Sequence, residues 1–294
     1  MHSAIDKKLL CANLQPRCEV LGEIPEQLDF FDAMPEYDVS LYANKKQKTT
    51  PETAKEALEA LLQAGVDPDA ECDDREMNDW TGKTPLVCAL EWGETEIAAM
   101  LLRAGANPDR RTAKGMSPFA VWIERGCRTS DGMERFAPLM ELFEQGGWHP
   151  DAPQTGKDER ALMLACQHDD YELATWTLRR LLQRKVEVNA RDAMGRTALM
   201  HLLGPRSAGP YQPEMLERLL EAGADSCAAD NVGRTVLHYA AEGYTHAAAR
   251  QAAEMLFDFG RPDISAADNE GRTPLDIATR SNNESLVKFL LKHV

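Results

Sequence analysis

The sequence lacks the features that mark a disulfide-rich, membrane-spanning or nucleic-acid-binding protein. Its seven cysteines are odd in number and show no CxxC spacing, which favours a reducing cytoplasm over a disulfide framework. No apolar run approaches the length of a membrane span, and no secretory signal opens the chain, although leaderless export would leave no such trace. The net charge of -15 disfavours nucleic acids and anionic membranes as partners.

Catalytic and metal-binding motifs are also absent from the sequence. The seven histidines form no HExxH or zinc-type cluster, and no GxSxG elbow occurs. Residues 81–84 read Thr-Gly-Lys-Thr, but a phosphate-binding loop needs a glycine at position 77, which is Met77. Alternating acids at 67–73 lack the glycine and final glutamate of a calcium loop. We therefore expect no catalytic residue, no cofactor and no metal.

The chain does contain an internal repeat. Successive units open at positions 84, 117, 160, 197, 235 and 273, which gives steps of 33, 43, 37, 38 and 38 residues. Self-similarity at this period is typical of a solenoid rather than a globular enzyme. The repeat therefore moves the expected function from chemistry towards binding.

Each part of the most regular unit has a structural reason. Thr84 can cap a helix, and Pro85 suits the first helical position. Apolar residues at i, i+3 and i+4 then predict a short helix that ends at Gly93. A second apolar helix covers 97–102 and ends at Gly105, before a stretch of turn-forming residues. The unit is thus a helix-turn-helix followed by a turn.

These residues resemble the ankyrin repeat. Residues 230–241 read Asp-Asn-Val-Gly-Arg-Thr-Val-Leu-His-Tyr-Ala-Ala, and residues 268–278 match the family pattern nearly as well. The resemblance implies an all-α ankyrin-repeat solenoid of about six to seven helix-turn-helix units with β-turn fingers, and a role for His238 in hydrogen bonding between repeats. The unit at Arg160 departs most from the pattern, because it lacks both the capping threonine and the proline.

The resemblance divides the chain at residue 50. Residues 51–294 are expected to form the ankyrin-repeat domain, with a degenerate first unit that ends at 61–65. Residues 1–50 show no repeat and are expected to form a helical N-terminal cap, since a solenoid end needs a polar cover. The alternative is that they join a binding interface.

Irregular segments interrupt the repeat. The finger between Gly65 and Thr84 is long and acidic, and residues 127–133 lengthen the second step, from 117 to 160. Smaller additions fall at 204–213 and 244–246. Insertions in repeat proteins lie in loops, often on a functional face. They can equally be neutral, because longer surface loops cost little.

The resemblance also implies a ligand face, built from the finger tips and the exposed side of each first helix. The predicted partner-binding residues are Asp69, Glu71, Asp73, Asp74, Glu76, Asp79, Trp80, Lys83, Glu91, Trp92, Lys114, Met116, Glu124, Arg125, Trp148 and His168. The same transfer places on this face Glu159, Gln167, Met194, Arg196, Val232, Arg234, Glu242, Glu270, Arg272 and Arg280. Trp80 and Trp92 are candidate anchors, because aromatic residues dominate interface energies. The alternatives are that Trp92 covers the core and that the acidic finger is only solvated.

We therefore expect a non-catalytic protein-binding module that is cytoplasmic and monomeric until bound. Its partner is another protein, preferably basic, with no nucleic acid or membrane involved. The sharpest hypothesis is an immunity-type inhibitor that neutralises a bacterial toxin or effector, which the resemblance to ankyrin immunity partners suggests. The alternative is a scaffold, adaptor or secreted effector that recruits host or cellular proteins. Trp122 is expected to pack inside the protein, and Trp148 to be a surface aromatic.

Overall fold

The fold is all-helical in a computed structural model that describes residues 51–63, 65–70, 83–126, 132–204, 213–243, 246–260 and 262–293. Within these ranges no β-strand forms, and a single isolated bridge joins Ala229 to Thr235. The helices are α1 Pro51–Gln63, α2 Pro85–Glu91, α3 Thr95–Arg103, α4 Pro118–Val121 with a π-turn at Trp122–Gly126, α5 Gly132–Gln145, α6 Ala161–Gln167, α7 Tyr171–Gln183, α8 Ala198–Leu203, α9 Pro213–Glu221, α10 Val236–Gly243, α11 His246–Gly260, α12 Pro274–Arg280 and α13 Glu284–Leu290.

The first helix of each unit begins where the sequence predicts a cap. The Thr84 hydroxyl accepts the backbone N–H of Val87 at 3.4 Å, and Ser117 does the same for Ala120 at 3.1 Å. Thr273 forms a reciprocal capping box with Asp276. At Arg160 no side-chain oxygen caps the helix, and the Arg160 N–H instead meets Met163 Sδ at 3.4 Å. The unit at Arg160 therefore lacks a hydroxyl cap, a loss of the kind that costs about 1 kcal/mol, and Thr197 also makes no side-chain capping bond.

Most second helices end in the same way, at a residue with left-handed backbone. Gly65, Gly105, Gly147 and Gly223 all have positive φ at this place. A second rule links successive units: Asp69 accepts the N–H of Asn107 at 2.9 Å, just as Asn189 accepts the N–H of Asp225 at 2.8 Å. Because α1 and its loop follow both rules, residues 51–70 form the second half of a genuine repeat, as the degenerate first unit predicts.

The chain separates into two compact units by its internal contacts. The first contains α1, α2, α3 and α5, and the second contains α4 and α6 to α13. The lengthened repeat is divided between them, since α4 and α5 belong to different units. Within the second unit the helices of successive repeats pack on one another, α6 on α8 and α10 on α12.

The core consists of the buried faces of these short helices. All six residues from Pro85 to Leu90 are buried, and so are all six from Ala161 to Cys166. Cys88 and Cys166 lie inside these two runs, and burial raises the pKa of the Cys166 thiol well above its usual range. Trp122 is also buried and contacts Phe119 edge-on, with ring centroids 6.2 Å apart. No described helix is long and apolar enough to cross a membrane.

His238 links two repeats, as the resemblance implies. Its Nδ1 accepts the N–H of Thr235 at 3.0 Å, and its Nε2–H therefore donates to the Arg272 carbonyl of the following repeat at 2.9 Å. The side chain is fully buried, and burial lowers the pKa of His238. The neutral imidazole therefore acts here as a connector rather than as a catalyst.

Candidate protein-binding face

The fingers of the second unit form a hydrogen-bonded ladder. The N–H of Ala193 donates to the Lys157 carbonyl at 2.9 Å, and that of Asn231 donates to the Met194 carbonyl at 3.0 Å. Asn269 continues the series onto the Val232 carbonyl at 2.9 Å. Each finger is therefore positioned by its neighbour, so the tips form an ordered surface.

An aspartate at the base stabilises each of the last three fingers. Asp192 Oδ1 accepts the N–H groups of Met194 and Arg196 at 2.9 and 2.8 Å. Asp230 and Asp268 repeat this arrangement two and four residues on. Since the carboxylate accepts two N–H groups of the same turn, it fixes the finger conformation locally.

The tips of this ladder carry one side chain per repeat at equivalent positions. Met194 and Val232 lie side by side in the middle and are 52% and 43% exposed. Lys157 precedes them and Glu270 follows them, and both are exposed. The column thus presents an apolar centre between a basic and an acidic residue. Large exposed apolar side chains on ordered backbone are a feature of interaction surfaces.

The arginines beneath the tips are engaged within the face. Arg196 pairs with Asp192 at 2.8 Å, and Arg272 pairs with Asp268 at 2.7 Å and with Glu270 at 2.8 Å. Arg234 pairs with Glu242 and lies over the Tyr239 ring, 4.8 Å from its centre. The Arg272 hydrogen bonds help to hold the pKa of Asp268 at about 2, against the opposing effect of its desolvation. These three arginines therefore support the fingers and add little free charge for a ligand.

A buried cluster of ionisable groups lies between two of these repeats. One ligand atom each from Glu159, Asp192 and His201 lies within 4.8 Å of the others, and all three residues are buried. His201 Nε2 is 3.0 Å from Asp192 Oδ2, while Glu159 accepts hydrogen bonds from Thr155 at 2.8 Å and Gln167 at 3.2 Å. Desolvation opposes ionisation, but hydrogen bonds from His201 and Arg196 lower the pKa of Asp192, and those from Thr155 and Gln167 lower the pKa of Glu159.

This cluster has the residue types of a metal site but is an ion-pair network. Asp192 Oδ2 already accepts Arg196 Nε at 2.8 Å and His201 Nε2 at 3.0 Å. A cation on that oxygen would lie against the Arg196 guanidinium, which is always charged. The donors present are therefore a better fit to the two carboxylates than a metal ion is.

The predicted site residues of the first unit lie in different settings. Glu71, Asp73, Asp74, Glu76, Asp79 and Trp80 fall outside the described residues, so the acidic finger stays a prediction. Lys83 and Glu91 bond each other at 2.7 Å, with side chains only 15% and 16% exposed, so their charges are largely satisfied internally. Trp92 is half-buried at the end of α2, and Asp69 is used in holding the next finger.

The predicted residues of the second unit are more accessible. Lys114 and Glu124 are exposed, and Met116 and His168 are half-buried. His168 Nδ1 accepts the N–H of Asp170 at 3.0 Å, which fixes its ring at the end of α6. Arg125 lies in the π-turn, and its backbone belongs to the first unit. A role in partner binding stays a prediction for all of these residues.

The prediction that Trp148 is a surface aromatic is wrong. Its side chain is buried, 2% exposed, and meets Phe143 edge-on with ring centroids 6.0 Å apart. Trp148 follows Gly147, and the residue in the same place after Gly105 is Ala106, which is buried too. The N–H of each bonds a carbonyl of the preceding helix, Phe143 or Leu101, which turns the side chain inward. Aligning the repeats at this glycine would have revealed it.

Sequence reasoning placed Glu159 on the binding face, which is wrong because its side chain is buried, and it missed the buried cluster, although a signal for it exists. The residue nine positions after the finger aspartate bonds that aspartate when it is polar: His201 bonds Asp192, and Tyr239 bonds Asp230 at 2.7 Å. In the last repeat this position is Ile277, and no such bond can form. The spacing therefore marks which fingers are tied to their own first helix.

Comparisons with known proteins agree with this geometry over the repeats. Residues 206–294 match the family described as "Ankyrin repeats (3 copies)", and residues 81–113 match "Ankyrin repeat". The solved ankyrin repeat domain of Bcl-3 is 22% identical and has a TM-score of 0.58, over 83% of this chain and 93% of that one. An ankyrin repeat domain from Acinetobacter baumannii is 20% identical with a TM-score of 0.55, over 71% and 96%. These similarities establish the fold.

The N-terminal part has a different similarity. Residues 3–74 match the family described as "Anticodon binding domain". Among curated proteins, a glutamate–tRNA ligase of Clostridium acetobutylicum is 41% identical over 58 residues, which are 20% of this chain and 12% of the ligase. That of Clostridium tetani is 55% identical over 49 residues, 17% of this chain and 10% of the ligase. The chain thus spans about a tenth of the length of these relatives.

The two similarities meet in residues 51–70. This segment lies inside the anticodon-binding-domain match, yet α1 packs on α3 and its loop follows the inter-repeat hydrogen-bond rule. Over the remainder of the chain, three findings indicate ankyrin repeats: the family matches at residues 81–113 and 206–294, the helix pairs and the solved neighbours. The chain is an ankyrin-repeat protein.

Proposed function

We propose that this chain binds another protein through the fingers and adjoining first helices of its second unit, and that it performs no chemistry of its own. Ankyrin repeats are protein–protein interaction modules. The observation that carries the proposal is the fingertip column, in which Met194 and Val232 are exposed together on a hydrogen-bonded ladder. The buried ionisable groups beneath it are engaged with one another, which supports a binding role over a catalytic one.

Within that role, we propose a stoichiometric inhibitor of the immunity type, which neutralises a toxin or effector by occupying its surface. The net charge of -15 supports a basic partner, since an acidic surface would speed encounter with one. The cysteine pattern supports action in a reducing cytoplasm. In this proposal the protein is monomeric until it binds.

The second candidate is an adaptor, and the N-terminal similarity favours it. A segment that resembles part of a tRNA ligase could connect the repeats to a protein of the translation apparatus. Direct RNA binding by this segment is disfavoured, because residues 3–74 contain sixteen acidic and seven basic side chains. The adaptor would therefore recruit a protein, and the segment would contribute protein contacts.

The test compares two double variants of the full chain. Met194→Asp with Val232→Asp places charge in the fingertip column, and Phe259→Asp with Leu291→Asp makes the same chemical change at residues 48% and 58% exposed on the second-helix side. Each chain is used to capture proteins from its native lysate, and captured proteins are identified by mass spectrometry. We expect the fingertip variant to lose a partner that the wild type and the control both retain, with at least a tenfold weaker Kd.

Partner identity and salt then separate the two candidates. An inhibitor should suppress the partner's activity at a 1:1 ratio, with an on-rate that falls steeply as ionic strength rises. An adaptor should leave that activity intact and bring down translation proteins. If the fingertip variant binds its partner as tightly as wild type, the proposed face is incorrect.

A further inference from the structure

Two fingers of the second unit are bonded to their own first helices by a side chain. His201 of α8 has its Nε2 3.0 Å from Asp192 Oδ2. Desolvation raises the pKa of Asp192, but hydrogen bonds lower it overall, so the carboxylate is ionised and His201 is the donor. The Tyr239 hydroxyl of α10 donates in the same way to Asp230 Oδ2 at 2.7 Å. Each of these two bonds, here called a helix tie, connects a surface turn to a buried side chain of the core.

The arginine bonds of the finger aspartates have a different effect. Arg196 Nε donates to Asp192 Oδ2 at 2.8 Å, and Arg272 Nε donates to Asp268 Oδ2 at 2.9 Å. Both arginines lie four residues after the aspartate, on the same turn. Their bonds therefore stabilise the shape of a finger but move with it, whereas a helix tie fixes the finger relative to the core.

The last finger is fixed by another group at another place. Ile277 occupies the position of the helix tie and has no polar atom to offer Asp268. The His238 Nε2–H of the preceding repeat instead bonds the Arg272 carbonyl at 2.9 Å. That carbonyl lies at the base of the finger, next to the helix cap. The tip residue Glu270 is therefore not held through its aspartate to a helix.

The two helix ties act on the carboxylates that hold the exposed apolar tips. Asp192 Oδ1 accepts the N–H of Met194 at 2.9 Å, and Asp230 Oδ1 accepts the N–H of Val232 at 2.9 Å. In both cases the tie is on the other oxygen of the same carboxylate. Helix, carboxylate and tip thus form one continuous chain of hydrogen bonds.

We propose that His201 and Tyr239 are positioning residues of the binding face, which hold Met194 and Val232 in place before a partner arrives. Neither positioning residue touches the partner, because both are buried. A surface that is ordered in advance loses less conformational entropy on binding, and therefore binds more tightly. Their role in binding rests on the function proposed above, whereas their effect on the order of the fingers does not.

The test is amide hydrogen exchange of the full chain, measured residue by residue by NMR, in three variants. Tyr239→Phe removes only the hydroxyl, His201→Leu removes the imidazole donor, and His201→Gln keeps an N–H donor at nearly the same place. We expect exchange at the Met194 N–H to become roughly tenfold faster in His201→Leu, and to stay within about threefold of wild type in His201→Gln. Exchange at the Val232 N–H should become about fivefold faster in Tyr239→Phe.

Each variant is the control for the other, because a general loss of stability would speed exchange at both tips together. His201→Leu should leave the Val232 N–H unchanged, and Tyr239→Phe should leave the Met194 N–H unchanged. The N–H of Glu270, on the finger without a helix tie, should be unchanged in both. The positioning role is overturned if both tips respond together, if neither responds, or if His201→Gln exchanges as fast as His201→Leu.

Binding is then measured with the protein that the wild-type chain captures through the fingertip column. Its Kd should rise about tenfold in His201→Leu and return to within about threefold of wild type in His201→Gln. An unchanged Kd in His201→Leu, together with faster exchange at the tip, would overturn the role in binding. If Met194→Asp with Val232→Asp loses no partner, the proposed function fails instead, and the exchange result stands.

Discussion

Removing the charge of Asp192 tests the buried cluster most directly. Its Oδ2 accepts Arg196 Nε at 2.8 Å and His201 Nε2 at 3.0 Å. Asp192→Asn keeps the shape but replaces one oxygen with a donor, so these two side chains lose their charged acceptor. The Arg196 side chain is 25% exposed and can recover water, whereas the His201 side chain is 4% exposed and cannot. We expect the free energy of unfolding to fall by about 3 kcal/mol.

The last repeat supplies a matched control. Asp268 makes the same bonds to Arg272, at 2.9 and 2.7 Å, but has Ile277 in place of the histidine. The Arg272 side chain is 35% exposed and also pairs with Glu270, so Asp268→Asn should cost only about 1 kcal/mol. The assay is urea unfolding followed by circular dichroism at pH 7. If the two variants lose equal stability, His201 contributes nothing and the reasoning fails.

The loss of stability in Asp192→Asn should depend on pH. Because the pKa of Asp192 is lowered in the folded state, its contribution is fully present above the unfolded value of about 4. That contribution is lost as the pH falls through 4 towards the folded value. The stability gap between wild type and Asp192→Asn should therefore be widest near pH 7 and shrink on acidification. A gap that stays constant down to pH 3 would contradict the ionised pairing.

Two further predictions concern packing and backbone geometry. Trp148→Ala should lower the free energy of unfolding by about 3–5 kcal/mol, because it empties a buried site beside Phe143, and partner affinity measured on the folded variant should not change. Gly195→Ala should destabilise the protein more than Gly271→Ala, as measured by urea unfolding. Both glycines have positive φ, near 76°, but only at Gly195 would a new Cβ lie 2.9 Å from Asn231 Cγ. Equal losses would show that finger contacts do not add to the strain.

The repeat and its helices could be predicted because their causes are local. Thr84, Ser117 and Thr273 cap helices within three residues of themselves, and the glycine after most second helices reverses the chain in place. The placement of His238 between repeats followed instead from the family resemblance, since its bond reaches Arg272 of the next repeat. The cap at Arg160 shows the limit, since the helix forms there without the favourable residue because its apolar face is buried.

The candidate site was predictable only in part. Met194 and Val232 were placed on the face by their repeat positions, but their joint exposure depends on the neighbouring fingers. Trp148 was wrongly expected at the surface, because an aromatic residue beside two glycines suggested a surface loop. The charged pair Lys83 and Glu91 was placed on the face, yet the two side chains satisfy each other across one helix.

The sequence by itself determined the period, the helix pairs, the turns between them and the apolar face that each helix buries. These depend on interactions within a few residues, which a linear pattern records. Only the tertiary structure decided which polar groups are engaged. Glu159, Asp192 and His201 are brought together by two successive repeats, and Arg196 bonds the Asp192 oxygen that would otherwise be open to a metal. The energy of such contacts depends on distance and burial across repeats, and the sequence of one repeat contains neither.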